Sequence, residues 1–294
     1  MTPAQYKARY ESLVVPLDNG GSTTVRLNRY RLRTLNYNEA AANAFLQKLD
    51  KNGVDMQLRV DPGPETFRVL HRFRDSSFTV NDMTQTGPRR VDDAVLRNIR
   101  LIARYVFAGK GSPEHCQIVL QLADHWKLAP QGLQPYADAA LGLDCNGFVG
   151  NYLWHVKRQR PWTDQGLDVN EGPDSVISQY FVGKKAISGW EEMQPGRSYI
   201  FGKVGDNGAI IEGGGSAAHA GHIAITEPSR FRKADWSKPP AVFVLESTVA
   251  HDPGLWGSWY SLQSMHHQFS RVFNVHREDM IAGHQRFPFR IAEV

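Results

Sequence analysis

The chain is poor in cysteine: its 294 residues hold two, Cys116 and Cys145. Two thiols cannot build a disulfide scaffold, so the expectation is a pair of reduced thiols in a protein made in a reducing compartment. No uninterrupted run of about 18 apolar residues occurs, which excludes a helix of transmembrane length. The opening residues, "MTPAQYKARYESLVVPLDNGG", lack the basic start and apolar core of a signal peptide. The expectation is therefore synthesis in the cytoplasm without a cleavable signal, with any action outside the cell depending on a dedicated secretion system. There is no internal repeat, no low-complexity tract and no long basic run. The 34 Lys+Arg are interspersed with 30 Asp+Glu, leaving a formal charge of +4. That distribution argues against a nucleic-acid-binding arm, and neither nucleic acid nor membrane is expected as a partner. H-E-x-x-H and C-x-x-C are both absent, and the adjacent His266 and His267 cannot share one helix face, so no metal is expected. "GGGSAA" (213–218) fits a dinucleotide fingerprint by letter, but it precedes a strand-like run rather than a helix, so no cofactor is expected either.

What is present is an ordinary globular composition, 41% hydrophobic and 22% charged, in a length that allows one large domain or two smaller ones. Residues 22–35 alternate apolar and polar as a half-buried strand does. Residues 38–53 carry a helix start at Asn38 and a glycine stop at Gly53. Strand-like runs follow at 54–60 and 65–73, divided by Asp-Pro-Gly-Pro. The polar, Gly-Pro-containing stretch 81–93 suits a junction. From Val91 the pattern is helical, with Val95, Ile99, Ile102 and Val106 on one face and Gly109 after them. A second helix, 113–128, has proline near its start and Cys116 inside it beside Ile118, Val119 and Leu120, the setting of a buried structural thiol. Later come short β-branched or aromatic runs between Gly- and Pro-rich turns, "RSYIFGKV", "HIAIT" and "AVFVLEST", expected to form one antiparallel sheet. "DPGLWGSWY" (252–260) is either a loop packed on the core or the wall of a groove. Helices, a Cys-bearing helix and then strands suggest an α+β architecture.

The most informative stretch is "LGLDCNGFVGNYLWH" (141–155). Asp144 suits an N-cap, and Phe148, Val149, Tyr152, Leu153 and Val156 recur at helical spacing. Cys145 then falls in the first turn, where unpaired backbone N–H groups and the helix dipole favour a thiolate. On its own the stretch fits a helix that begins with a small hydrophobe as well as one that begins with a nucleophile. "AGHIAITEP" (220–228) puts His222 at the start of a strand, on one face with Ala224 and Thr226, small residues that leave room for the ring to face the Cys helix. "AVFVLEST" supplies Glu246, Ser247 and Thr248 on a neighbouring strand, any of which can hold an imidazole by its second nitrogen.

"DCNGFV" resembles the "DCSGFV" signature of the NlpC-type cysteine peptidases, a papain-like superfamily that includes the CHAP amidases. "GHIAI" is similar to their "GHVGI" strand, "WEEMQPGRSYIF" to their Pro-Gly-Asp-Leu segment, and "LQPYADAALGLDC" to the Pro-Tyr segment before the nucleophile. The resemblance runs from about residue 92 to residue 294. It departs from the pattern at Asn146 (usually Ser), at Arg197 (commonly Asp), in lacking Gly-Gly after Pro-Tyr, and in an inserted "RFRKADWSKPP" after the His strand. It implies Cys145 as nucleophile, His222 as general base, Glu246 as the residue that orients His222 (with Ser247 the alternative), Tyr136 near the oxyanion site, and a structural role for Asp144.

Together these give an expected papain-like α+β core, helices including the Cys-bearing one packed on an antiparallel sheet. It would span 91–294, with residues 1–90 as an accessory α/β region carrying no catalytic residue. The implied activity is cleavage of an amide bond in bacterial cell-wall peptides, by an exported effector toxin or a phage lytic enzyme. Peptidoglycan peptide is the implied substrate, and a secretion-system or immunity protein the implied partner. Two other readings stand beside it: a cysteine deamidase or transglutaminase-like toxin acting on proteins, and a non-catalytic binding module with a decayed triad.

Overall fold

The computed structural model describes residues 1–32, 35–54, 56, 58, 93–156, 176–212, 221–234, 238–280 and 286–294. The expected strands at 54–60 and 65–73, the junction at 81–93 and the Gly-rich 213–218 lie wholly or largely outside them. The described chain divides into two compact units, Arg9–Leu143 and Met1–Ala8 with Asp144–Val294.

In the first unit, β1 (Leu13–Pro16) and β2 (Ser22–Val25) form an antiparallel hairpin. The strand expected over 22–35 is regular only as far as Val25. Helix α2 (Glu39–Asn52) begins where Asn38 Oδ1 accepts from the Ala41 amide and ends at Gly53, whose φ of 66° favours glycine. α3 (Asp93–Phe107) buries Ile99, Ile102 and Val106. α4 (Pro113–His125) is capped by Ser112, with proline in its first turn, and α5 (Leu133–Ala140) follows. Phe45 on α2 joins these helices, its ring centroid 5.7 Å from Phe107 and 5.1 Å from Trp126. Gly142 is needed because a Cβ there would lie 2.5 Å from the Arg29 carbonyl oxygen, against which Leu143 pairs.

The second unit holds the first turns of α1 (Pro3–Glu11), α6 (Cys145–His155) and six strands: β3 (Tyr199–Lys203), β4 (Ile223–Arg232), β5 (Ala241–Ser247), β6 (Leu255–Met265), β7 (Val272–Arg277) and β8 (Arg286–Glu293). The Tyr6 ring of α1 lies tilted against Phe148 and edge-on to Tyr152 of α6, at 6.1 and 5.7 Å between centroids. The strands form a closed antiparallel barrel in which β8 returns to pair with β3, Tyr199 opposite Glu293 and Lys203 opposite Phe289. This corrects the expected papain-like core of helices packed on a sheet. The sheet closes on itself, and closure removes both edges. "DPGLWGSWY" is also no loop beyond Gly254, since β6 begins at Leu255 and pairs with the whole of β5.

Strand alternation fills the barrel with Tyr199, Phe201, Ala224, Val242, Val244, Tyr260, Leu262, Phe273, Val275, Phe289 and Ile291, all nearly or fully buried. The same alternation, continued two residues along each strand, turns polar at one end of that interior: Lys203 after Phe201, His222 before Ala224, Glu246 after Val244, Ser258 before Tyr260 and Arg277 after Val275.

Candidate active site

Cys145 is the first residue of α6. The helix starts where it does because the Asp144 carboxylate accepts from the Gly147 amide, satisfying a donor the helix cannot. This is the capping role expected for Asp144. Cys145 is 7% exposed, and α6 packs against β4 and β5, the strands that follow His222 and carry Glu246. Cys116 lies within α4, 1% exposed, where burial first and the Glu114 charge second push its thiol well above the ordinary range.

His222 stands at the barrel rim, one residue before β4, its carbonyl accepting from the Lys203 amide at 2.9 Å. Nε2 of the ring lies 2.5 Å from Oε2 of Glu246. Ala224 belongs to the interior cluster and Thr226 Oγ1 accepts from the Tyr199 amide at 2.8 Å. The face these residues share with His222 is therefore the barrel interior, with His222 at its rim. Glu246 is fully buried. The same Oε2 accepts from Arg277 Nη2 at 2.5 Å, and Oε1 lies 3.5 Å from Ser258 Oγ.

The electrostatics follow from this packing. Burial alone would raise the Glu246 carboxyl, but Arg277 and His222 outweigh it and hold it at about 2, so it is ionised at neutral pH. Burial lowers His222, Glu246 opposes this, and the cations of Arg277 and Lys203 add to the lowering. The imidazole is thus neutral at pH 7. With Glu246 ionised, Nε2 carries the proton and donates it to the carboxylate, leaving Nδ1 as the basic nitrogen. Among the described residues Nδ1 has no hydrogen-bond partner. Lys203 is itself drawn down to about 8, by burial first and Arg277 second, and its ammonium lies 3.9 Å from the Phe287 ring centroid.

Of the four residues singled out in the sequence, Cys145, His222 and Glu246 fall in one unit, with His222 and Glu246 in contact. Tyr136 belongs to the other unit, on α5, where its buried hydroxyl has no hydrogen-bond partner among the described residues. Ser247, the alternative to Glu246, is buried one residue on, so alternation turns it to the opposite face. Arg277, Lys203 and Ser258 were not anticipated. Their signal is a polar residue in phase with an apolar alternation, as in Phe273, Val275, Arg277 and in Tyr199, Phe201, Lys203.

His251 stacks on Trp256 at 3.8 Å, and His266 on His267 at 4.8 Å. Among the described residues no three His, Cys, Asp or Glu side chains are grouped to hold a metal, and no helix is long and apolar enough to cross a membrane. Comparison with protein families, with curated proteins and with solved structures gives no match to this chain.

Proposed function

We propose that the chain is a thiol hydrolase that cleaves an amide bond through an acyl-enzyme. The observation that carries this reading is the 2.5 Å contact between His222 Nε2 and the buried, ionised Glu246. That contact fixes the imidazole in the tautomer whose Nδ1 accepts a proton. The Cys145 sulfur attacks the substrate carbonyl while its proton passes to Nδ1. The carbon–nitrogen bond then breaks as the same proton is delivered to the departing amine. Water, deprotonated by Nδ1, attacks the thioester, releases the acid and restores the thiol. The Cys145 amide, at the N-terminus of α6, is the donor assigned to the oxyanion. Bonds between nucleophile and base are often long in substrate-free sites, so the sulfur is expected to approach Nδ1 when substrate binds.

The substrate class comes from the resemblance of "DCNGFV" and "GHIAI" to the NlpC-type signatures: a peptide of the bacterial cell wall, met after export as an effector or lytic enzyme. Incubation of purified peptidoglycan with wild type and with Cys145→Ala, followed by mass spectrometry of the fragments, tests the proposal. New fragments carrying one added water per cut, with wild type only, are expected. Release of ammonia from glutamine-containing proteins, with peptidoglycan left intact, would replace the peptidase reading with a deamidase.

A further inference from the structure

We propose that Arg277 is the positioning residue of this site: by holding Oε2 of Glu246 from β7, it keeps the carboxylate where it accepts from Nε2 of His222, and so presents Nδ1 to the Cys145 thiol. The inference rests on the thiol-hydrolase reading above and adds to it a residue outside the Cys–His–Glu set.

The geometry makes the assignment specific. Glu246 is on β5 and Arg277 on β7, with β6 between them. The strand pairings set Trp256 opposite Glu246 and Tyr260 opposite Arg277, so the guanidinium must reach across the barrel interior beneath β6. It is held there on several sides: by Oε2 of Glu246 at 2.5 Å, by Thr248 Oγ1 at 3.5 Å, by the Met280 sulfur at 3.8 Å, and by the Tyr260 ring, whose centroid is 5.6 Å away. Arg277 is 3% exposed and Glu246 fully buried, so neither charge is tolerated alone. The planar guanidinium suits a fixed, directional contact better than an ammonium on a flexible stem. Both His222 and Arg277 address one oxygen, Oε2, which leaves that atom little freedom to swing away from the imidazole.

The charged and titratable groups facing His222 are Glu246 from β5, Arg277 from β7 and Lys203 from β3. Tyr260 of β6 lies against Glu246, the Phe289 ring of β8 is 6.5 Å away, and α6, with Asp144 and Cys145 in its first turn, packs on β4. Removing the Arg277 cation while Glu246 remains charged raises the proton affinity of His222. A hydrolase that needs neutral His222 is active above the pKa of that residue, so its acid limb should move to higher pH. A residue with only a structural role would lower stability or the amount of folded protein and leave that limb in place.

The test compares wild type with Arg277→Met and Arg277→Lys in the full chain. The fold is checked by thermal melting, and the His222 ring is followed by nitrogen-15 NMR titration. For Arg277→Met the expected results are a fall of about 100-fold in kcat with little change in KM, an acid limb at higher pH, and loss of the Nε2–H tautomer. Arg277→Lys, which keeps the charge, should restore the acid limb but only part of kcat, and it serves if the methionine variant does not fold. A folded variant with the kcat, acid limb and His222 tautomer of wild type would overturn the proposal. The NMR arm needs no turnover. If wild type cleaves no amide and yet the tautomer changes in the variants, the hydrolase reading has failed while the positioning of His222 by Arg277 stands.

Discussion

Both units contain the same four residue types in buried or half-buried settings, and only one joins its histidine, carboxylate and arginine in a single hydrogen-bonded cluster. In Arg9–Leu143 they are Cys116, His115, Glu114 and Arg9; in the other unit they are Cys145, His222, Glu246 and Arg277. Glu114 is 2% exposed and pairs with Arg9, as Glu246 pairs with Arg277. The difference lies in the histidine. His115 spends Nδ1 on the helix start, accepting from the Ser112 amide at 3.5 Å, while Ser112 Oγ accepts from the His115 amide at 3.2 Å. His222 instead turns its ring to the carboxylate. Three consecutive residues of a helix cannot converge on one point, whereas residues from a helix start and two strands can. Composition supplies ingredients in both places, and topology makes a candidate site in one.

The most severe way to break the comparison is to remove part of the Arg9–Leu143 unit. Truncation before Val91 strips away Phe45, which lies between Phe107 and Trp126, and both strands of the β1–β2 hairpin. Loss of the cooperative melt of that unit is the expected outcome, measured by calorimetry. A fragment that keeps its melt and its activity would support instead an accessory role for residues 1–90.

Next in size are the two thiols. Cys145→Ala and His222→Ala should each lower kcat/KM on peptidoglycan fragments by about 10⁴-fold or more, and the double variant should be hardly worse, because groups that act as a unit are not additive. Cys116→Ala should leave the rate alone and cost about 1 kcal/mol of stability, read from urea unfolding.

The carboxylates sharpen the contrast further. Glu246→Gln should reduce kcat by about 100-fold, while Glu114→Gln should change stability but not rate. Ser247→Ala is the register control: a larger loss of kcat there than at Glu246 would mean that the opposite face of β5 serves the site.

The smallest expected effect is in acid stability. His115 is held at about 4, below its ordinary 6.5, by burial acting against Glu114. Its unfolded form therefore binds more protons between those values, and the stability it contributes is full above 6.5 and is lost as pH falls toward 4. His222, also lowered, acts in the same direction. Glu246, lowered from 4.5 to about 2, contributes stability that is full above 4.5 and lost on approach to 2. Acid unfolding should thus begin before Glu246 titrates, and His115→Asn should shrink the loss between about pH 7 and 5 in urea titrations.

Much of this was legible in the sequence because its causes are local. Asn38 and Gly53 bound α2, Pro113 opens α4, and Asp144 caps α6, each through chemistry within a turn of the residue concerned. His222 and Glu246 were legible as a pair from neighbouring strands. Barrel closure was not, because it depends on β8 returning to β3 across about 90 residues, and no local signal in "RFPFRIAE" names its partner. Arg277 went unnoticed because its partner, Glu246, lies two strands away.

Alkylation tests the central claim most directly, since it sets the two thiols against each other in one sample. The protein is treated with limiting iodoacetamide at neutral pH, the labelled cysteine is mapped by peptide mass, and residual hydrolysis is measured on the same aliquots. The label should appear on Cys145, with activity falling in proportion to its occupancy while Cys116 stays unmodified. Label on Cys116 first, or full activity with Cys145 completely alkylated, would contradict the account.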